Sequence, residues 1–476
     1  MKKSICFLLA TVILFPQCGR TEKNKGQSEF ASVTNTSAGK PVRVIMTTYT
    51  TTMLADGKEH TLIRATVADS IGRQITSANL PIKISVIGDA KIASTNNSIP
   101  LTLVKSANDT SLWSSNIVNG SCQFMFQTGT KPDRIKVEVK ADNLWPGSHE
   151  IHTISPDIRL LKPTKDQIKP VIKKTGRSIG ADISFLPEIE SRGMKFFDNG
   201  KEEDPVKILA DHGFNYIRLR LFVNPENEKG YAPGKGFCSL EYTKKMAARV
   251  KKYGMKLLLN FHYSDYWADP QQQNKPKAWE NLNFEALRDS LKSYTKRVLI
   301  GLRDQGTIPE MVQIGNEINH GMLWPDGHIS NLDNLAELLK AGVEAVREVD
   351  PSIIIMMHIA LGGQNREAVF WLDNMIARGV DFDVIGLSYY PMWHGTLDDL
   401  KSNLNDLAGR YRKDLNVVEY AMFRKEVHDI VFSLPDNRGI GTFIWEPINI
   451  FFDKTGNPTK ELLMYDDLNK EYLSGK

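Results

Sequence analysis

Two hydrophobic rhythms divide the chain. From residue 41 to about 155 apolar and polar residues alternate in short runs, VRVIMTTYTT (42–51), HTLIRATVAD (60–69), LPIKISVIG (80–88) and RIKVEVKAD (134–142). Turn pairs such as Asp56-Gly57 and Gly88-Asp89 separate them, and no 3.6-residue period intervenes. That pattern predicts an all-β sandwich over 41–155. A Pro- and Lys-rich linker, 156–177, follows. Beyond it, near-continuous apolar runs alternate with amphipathic stretches. The runs are SIGADI (178–183), YIRLRLF (216–222), KLLLNFH (256–262), MVQIGNE (311–317), IIIMMHI (353–359), VIGLSYY (384–390), LNVVEY (415–420) and GTFIWEP (441–447). Between them, 283–302 places Leu287, Leu291, Tyr294 and Val298 on one helical face behind an Asn283 cap, and 334–348 does the same with Leu335, Leu338, Leu339 and Val346. Parallel strands covered on both faces lose polar alternation, so these eight runs with intervening helices predict an α/β fold, a (β/α)8 TIM barrel over 178–476.

In such a barrel the C-terminal strand ends converge on one mouth. The last residues of the predicted strands are Asp182, Arg218 with Arg220, His262, Asn316 with Glu317, Tyr389 with Tyr390, Glu419, and Trp445 with Glu446. A carboxylate is expensive to bury unless it is paired or does chemistry. Two carboxylates from opposed strands, an arginine, a histidine and aromatic platforms are what hydrolysis of a glycosidic bond requires. No His/Asp/Glu cluster with ligand spacing stands out at these ends, so neither metal nor other cofactor is expected.

Composition adds limits. Hydrophobic residues make up 41% and charged residues 24% of 476, with a net charge of +4, ordinary values that give no footprint for nucleic acid. The start MKKSICFLLATVILFPQC is basic and then apolar from Ile5 to Phe15, too short to span a bilayer, and reads as an export signal over 1–17. It resembles a bacterial lipoprotein signal, which implies lipidation of Cys18, a flexible polar tether over 18–40, and a lipid-anchored protein of the outer membrane facing the periplasm or the cell surface. Cys122 and Cys238 lie far apart in different predicted domains, so no disulfide framework is expected.

Several longer segments carry a resemblance. ADGKEHTLIRATVADSIGRQI (55–75) resembles the immunoglobulin-like domains appended to bacterial surface proteins and glycosidases, implying a spacer or support, with carbohydrate binding as the alternative. In the barrel, GADIS (180–184), RLRLFVNP (218–225), NFHYSDYWADPQQQNKPKAW (260–279), VQIGNEI (312–318), GMLWPDG (321–327), GLSYYPMWHG (386–395) and WEP (445–447) resemble the endo-β-1,4-galactanases of glycoside hydrolase family 53.

This resemblance implies a monomer acting on β-1,4-galactan, with Glu317 as acid/base, Glu419 as nucleophile and Asn316 on the sugar 2-hydroxyl. It implies that Arg218 pairs with Glu419 and lowers its pKa, with Arg220 in the same neighbourhood. It makes Trp445 a sugar platform, reached through a cis Trp445–Glu446 peptide, and sets His262, Asp265, Trp267, Tyr389 and Trp393 along the groove. Asp182 joins the substrate-binding set from its strand end. After Glu419 the chain runs YAMFRKEVHD, shorter than is usual in the family and with Tyr420 for Thr, so a shorter groove without calcium is expected. A β-1,4-mannanase of the same clan and a non-catalytic glycan-binding lipoprotein are the competing readings.

Overall fold

The first rhythm folds as ten strands in two facing sheets. A computed structural model describes residues 39–95, 99–170 and 176–473; the export signal, Cys18 and nearly all of the tether lie outside them. One sheet orders its strands 43–48, 60–68, 121–128 and 90–95, and the other 52–54, 147–154, 134–140, 80–87, 110–117 and 102–107. Pairing is antiparallel apart from the short contact of 52–54 with 147–154. Alternation does the work: in Ser121–Thr128 every second side chain, Cys122, Phe124, Phe126 and Thr128, is buried. Cys122 and Cys238 are both free.

The second rhythm closes into a barrel of eight strands: β1 Ser178–Asp182, β2 Tyr216–Leu221, β3 Lys256–Phe261, β4 Met311–Ile314, β5 Ile354–Ile359, β6 Val384–Tyr389, β7 Asp414–Tyr420 and β8 Gly439–Trp445. Closure is complete at β1, where Asp182 is paired with Arg218 on one side and Trp445 on the other. Phe443 fills the interior with Tyr216, Leu258, Met356 and Val418. Gly180 is required there, since a Cβ would lie 2.2 Å from the Phe443 ring. Helices wrap the outside. Phe284–Asp304 buries Leu287, Leu291, Tyr294 and Val298, and Asn283 Oδ1 accepts the Ala286 N–H at 2.9 Å. Each such leucine contributes roughly 1.5–3 kcal/mol through burial.

The described stretch of the linker from 156 to 170 is fastened to the barrel. Leu161 N donates to Asn374 Oδ1 at 2.9 Å and Gln167 Nε2 to the Ala377 carbonyl at 3.2 Å, both at the outer helix Asn365–Ala377. The sandwich itself sits against loops of the barrel mouth. Arg134 donates to the Gln271 carbonyl, and Ile45 and Ala68 pack on Met392.

Candidate active site

β4 stops at Ile314, earlier than its apolar run suggests, because Gly315 (φ +88°) and Glu317 (φ 48°) both turn left-handed. This turn swings Asn316 and Glu317 into the mouth. Asn316 Oδ1 accepts from Arg218 Nη2 and Asn260 Nδ2, each at 2.8 Å, while its Nδ2 donates to the Ala268 carbonyl at 2.8 Å. So fixed, the side chain becomes part of the wall.

Arg218, fully buried on β2, joins three strand ends. Its Nη1 lies 2.9 Å from both Asp182 Oδ2 and Glu419 Oε2, and its Nε donates to Gln313 Oε1 at 2.7 Å. The other Glu419 oxygen, Oε1, accepts from the Tyr390 hydroxyl at 3.0 Å. Glu317 has a different shell. Ser388 Oγ lies 2.6 Å from its Oε1, and His358 Nε2 lies 2.8 Å behind that serine, with His358 Nδ1 3.1 Å from Asn316 Oδ1. Burial, then the Arg218 guanidinium and the nearby His262 and His394, hold His358 well below the usual imidazole range, so the ring is neutral.

Burial is also the largest influence on both glutamates. It pushes Glu317 well above the ordinary carboxylate range, and the Glu419 charge pushes the same way. Glu419 is raised as well. Removal from water is the larger influence, and Arg218 lowers the value as expected, with Tyr390, without cancelling it. An oxygen of each carboxyl and a nitrogen of His358 lie within 4.8 Å of one another. A His/Glu cluster therefore does exist at the mouth, where none was expected from the strand ends. Both nitrogens of His358 already face Asn316 and Ser388, so a metal would have to displace those contacts.

Arg220 occupies a neighbouring pocket, not that of Glu419. Its Nη1 is 2.7 Å from Glu446 Oε1 and 3.9 Å from Asp182 Oδ1, and its guanidinium stacks between Phe185 (4.3 Å) and Trp267 (4.4 Å). Glu446 also accepts from Phe185 N at 3.0 Å. The cis bond expected at Trp445–Glu446 is absent: Trp324–Pro325 is the only cis peptide among the described residues. The chain turns instead through a left-handed Glu446 (φ 44°), which its bonds to Arg220 and Phe185 hold in place. Trp445 stays half-buried, its indole edge-on to Phe185 at 6.0 Å.

Known proteins resemble this chain over its barrel. The glycosyl hydrolase family 53 model matches residues 178–429. The chain belongs to glycosyl hydrolase family 53. An uncharacterized protein in the bgaB 5' region of Niallia circulans is 41% identical over 318 residues, 58% of this chain and 85% of that protein. A probable arabinogalactan endo-beta-1,4-galactanase A of Neosartorya fischeri is 34% identical, over 60% of this chain and 88% of its own length. The solved Ignisphaera aggregans GH53 catalytic domain superposes with a TM-score of 0.59 at 33% identity, over 62% of this chain and 98% of that one. Residues 45–150 match the glycoside hydrolase family 2 C-terminal domain 5.

For a family 53 glycoside hydrolase, the remaining predicted residues divide. His262 is buried at the mouth, with Nδ1 accepting from Ala268 N at 3.2 Å, and burial with Arg220 and Arg218 keeps it neutral. Trp393 stands edge-on to Tyr390 at 5.5 Å. Asp265 faces backbone: it accepts from Asn224 N and Lys277 N, both at 2.8 Å, and ties two loops together. Tyr389 is excluded from the site. Its ring joins the outer core and its hydroxyl reaches the Gly395 carbonyl, because side chains alternate along a strand and Tyr390 has the inward face. Ser388, two residues back, shares that inward face. Ser388 and His358 were both missed, as were Gln313 and Asn260. Their common signal is a polar residue inside an otherwise apolar, fully buried strand.

Proposed function

We propose that this family 53 hydrolase is an endo-β-1,4-galactanase that cleaves galactan or arabinogalactan side chains of pectin with retention at the anomeric carbon. The observation that carries the reading is the pair Glu317 and Glu419, with carboxylate oxygens within 4.8 Å of each other and unlike surroundings. Retaining glycosidases set their carboxyls about 5–5.5 Å apart, whereas inverting ones need about 6.5–9.5 Å to admit a water.

In the first step Glu419, kept available as an anion by Arg218 and Tyr390, attacks C1 of the galactosyl unit. The bond from C1 to the leaving oxygen breaks, and the proton of Glu317 passes to that oxygen. In the second step Glu317, now ionised, takes a proton from water. The oxygen of that water attacks C1 and frees Glu419. When Glu317 is ionised Ser388 donates to it; when Glu317 carries its proton, Ser388 can turn to the neutral His358 Nε2. Asn316 Nδ2 has a second amide proton to offer a sugar hydroxyl. The Neosartorya relative's designation as a probable arabinogalactan endo-beta-1,4-galactanase supports the choice of sugar. The basic, then apolar start and Cys18 support an exported, lipid-anchored enzyme.

Incubation with galactan, mannan and cellulose tests the reading, with reducing ends and anomeric NMR as readouts. New reducing ends from galactan alone, with β-anomer formed first, are expected. Release from mannan instead, or α-anomer first, would overturn sugar or stereochemistry respectively.

A further inference from the structure

Glu317 sits in a left-handed backbone conformation that a non-glycine residue keeps only when its surroundings enforce it. The single turn that follows, Ile318–His320, is pinned from several directions. Trp371 Nε1 donates to the Ile318 carbonyl at 2.9 Å, and Gln273 Nε2 donates to the Asn316 carbonyl at 2.8 Å. Both come from the barrel. His320, at the end of the turn, has its Nδ1 2.8 Å from the Pro270 carbonyl and its Nε2 2.8 Å from Thr51 Oγ1. Thr51 belongs to the sandwich. Its hydroxyl also reaches Glu367 at 2.9 Å, and Thr52 Oγ1 donates to the same carboxylate at 2.7 Å. His152, another sandwich residue, stacks on the His320 ring with centroids 3.9 Å apart and planes 25° apart.

Proton accounting makes this link directional. A carbonyl only accepts, so His320 Nδ1 carries a proton toward Pro270. Thr51 has one hydroxyl proton for two neighbours, His320 Nε2 and Glu367. The ring and the carboxylate are 3.5 Å apart, bridged by the hydroxyl of a threonine of the other domain. Thr51, His320 and Glu367 are all fully buried, so water cannot replace the bridge.

We propose that the sandwich is a working part of the catalytic centre, and that Thr51 is a positioning residue acting through His320 on the aim of the Glu317 carboxyl. The inference rests on the acid/base reading of Glu317. The solved Ignisphaera catalytic domain is matched over 98% of its length by 62% of this chain, a share too small to include both of this chain's domains. The dependence belongs to this chain, where the clamp on the acid loop crosses the domain boundary.

Thr51→Val keeps the volume and removes the bridge. In the full chain, its kcat on galactan should fall on the order of tenfold, because small displacements of a catalytic group have large effects on rate. KM should change by less than about twofold, and kcat/KM for an aryl galactobioside with a good leaving group, which reports only the first step and needs little acid assistance, should be nearly unaffected. Thr51→Ser should restore most of the loss. An equal loss on both substrates, or no loss on galactan, would overturn the proposal. Should the valine variant not fold, His152→Ala carries the same test with the same two overturning results. Glu317→Gln in parallel separates the premises: if it shows no difference between the two substrates, the acid/base reading fails, whatever Thr51 does.

Discussion

The two halves of the catalytic mouth solve opposite electrostatic problems with one resource, burial. On the side formed by β7 and β2, Glu419 is buried against a guanidinium and a phenol, so its charge has two partners. On the side formed by β4, β5 and β6, Glu317 is half-buried against a serine and a neutral imidazole, and among the described residues no cation lies within hydrogen-bonding distance. Burial alone raises both carboxyls; the partners make the rise unequal. An acid and a nucleophile thus arise from one residue type because their neighbours differ, as in other paired carboxylate sites.

The comparison breaks most completely at the nucleophile. Glu419→Ala should reduce turnover of galactan by at least about 10⁴-fold with the fold intact, since no other group can form the covalent intermediate. Mass spectrometry with a slow 2-fluoro substrate should trap a sugar on the wild-type peptide containing Glu419 and none on the variant. A label on another residue would reassign the role.

At the acid, the effect depends on the substrate. Glu317→Gln should lower galactan turnover roughly 10²–10⁴-fold and spare kcat/KM for activated aryl substrates, whose leaving group departs without a proton, while their kcat falls because the second step lacks its base. The same variant reports on stability. Because folding raises the Glu317 pKa, the stability it contributes is fully present below the ordinary carboxylate range and is lost as pH rises through the raised value. Glutamine does not ionise, so Glu317→Gln and the wild type should melt together in acid, and the variant should melt higher at alkaline pH. A melting difference independent of pH would contradict the raised pKa.

A smaller effect is expected where the two halves meet. Lysine at 218 would keep one charge but could not span Asp182, Glu419, Gln313 and Asn316 with a fixed planar fork. Arg218→Lys should cost on the order of 10²-fold in kcat through misplacement. Retention of full activity would mean that charge alone, without the geometry, suffices.

The barrel was legible because parallel strands buried on both faces must be written as apolar runs, and β1, β2 and β3 end within a residue of those runs. Both glutamates were legible for the converse reason: a carboxylate that closes such a run needs an explanation. What the sequence hides is direction. Tyr389 and Tyr390 are equal as letters, and only the pleat decides which one reaches Glu419. Arg218 and Arg220 share one face of β2, yet lie one pleat apart and take different acids, because Glu446 turns back from β8 to meet the second. That turn runs through a left-handed residue, which no local composition announced. The seating of the sandwich on the acid loop depends on contacts between residues 51 and 320, a separation that no periodicity reports.

The finest test moves each half separately through residues two apart on one strand. Ser388 on β6 and Tyr390 just past its end project to the same side, one toward Glu317 and the other toward Glu419. Each hydroxyl stabilises the charged form of its carboxyl, so removing either should raise that carboxyl's pKa. The consequence differs because the reaction needs Glu419 ionised and Glu317 protonated. Tyr390→Phe should shift the acid limb of the kcat/KM profile to higher pH and narrow the active range from below. Ser388→Ala should shift the alkaline limb to higher pH and widen the range from above. Each shift should be a fraction of a pH unit to about one unit, with turnover at the optimum reduced no more than roughly tenfold, the size expected for one hydrogen bond to a charged group. If both variants move the same limb, the two carboxyls titrate as a single coupled system, and the assignment of one hydroxyl to each half is wrong.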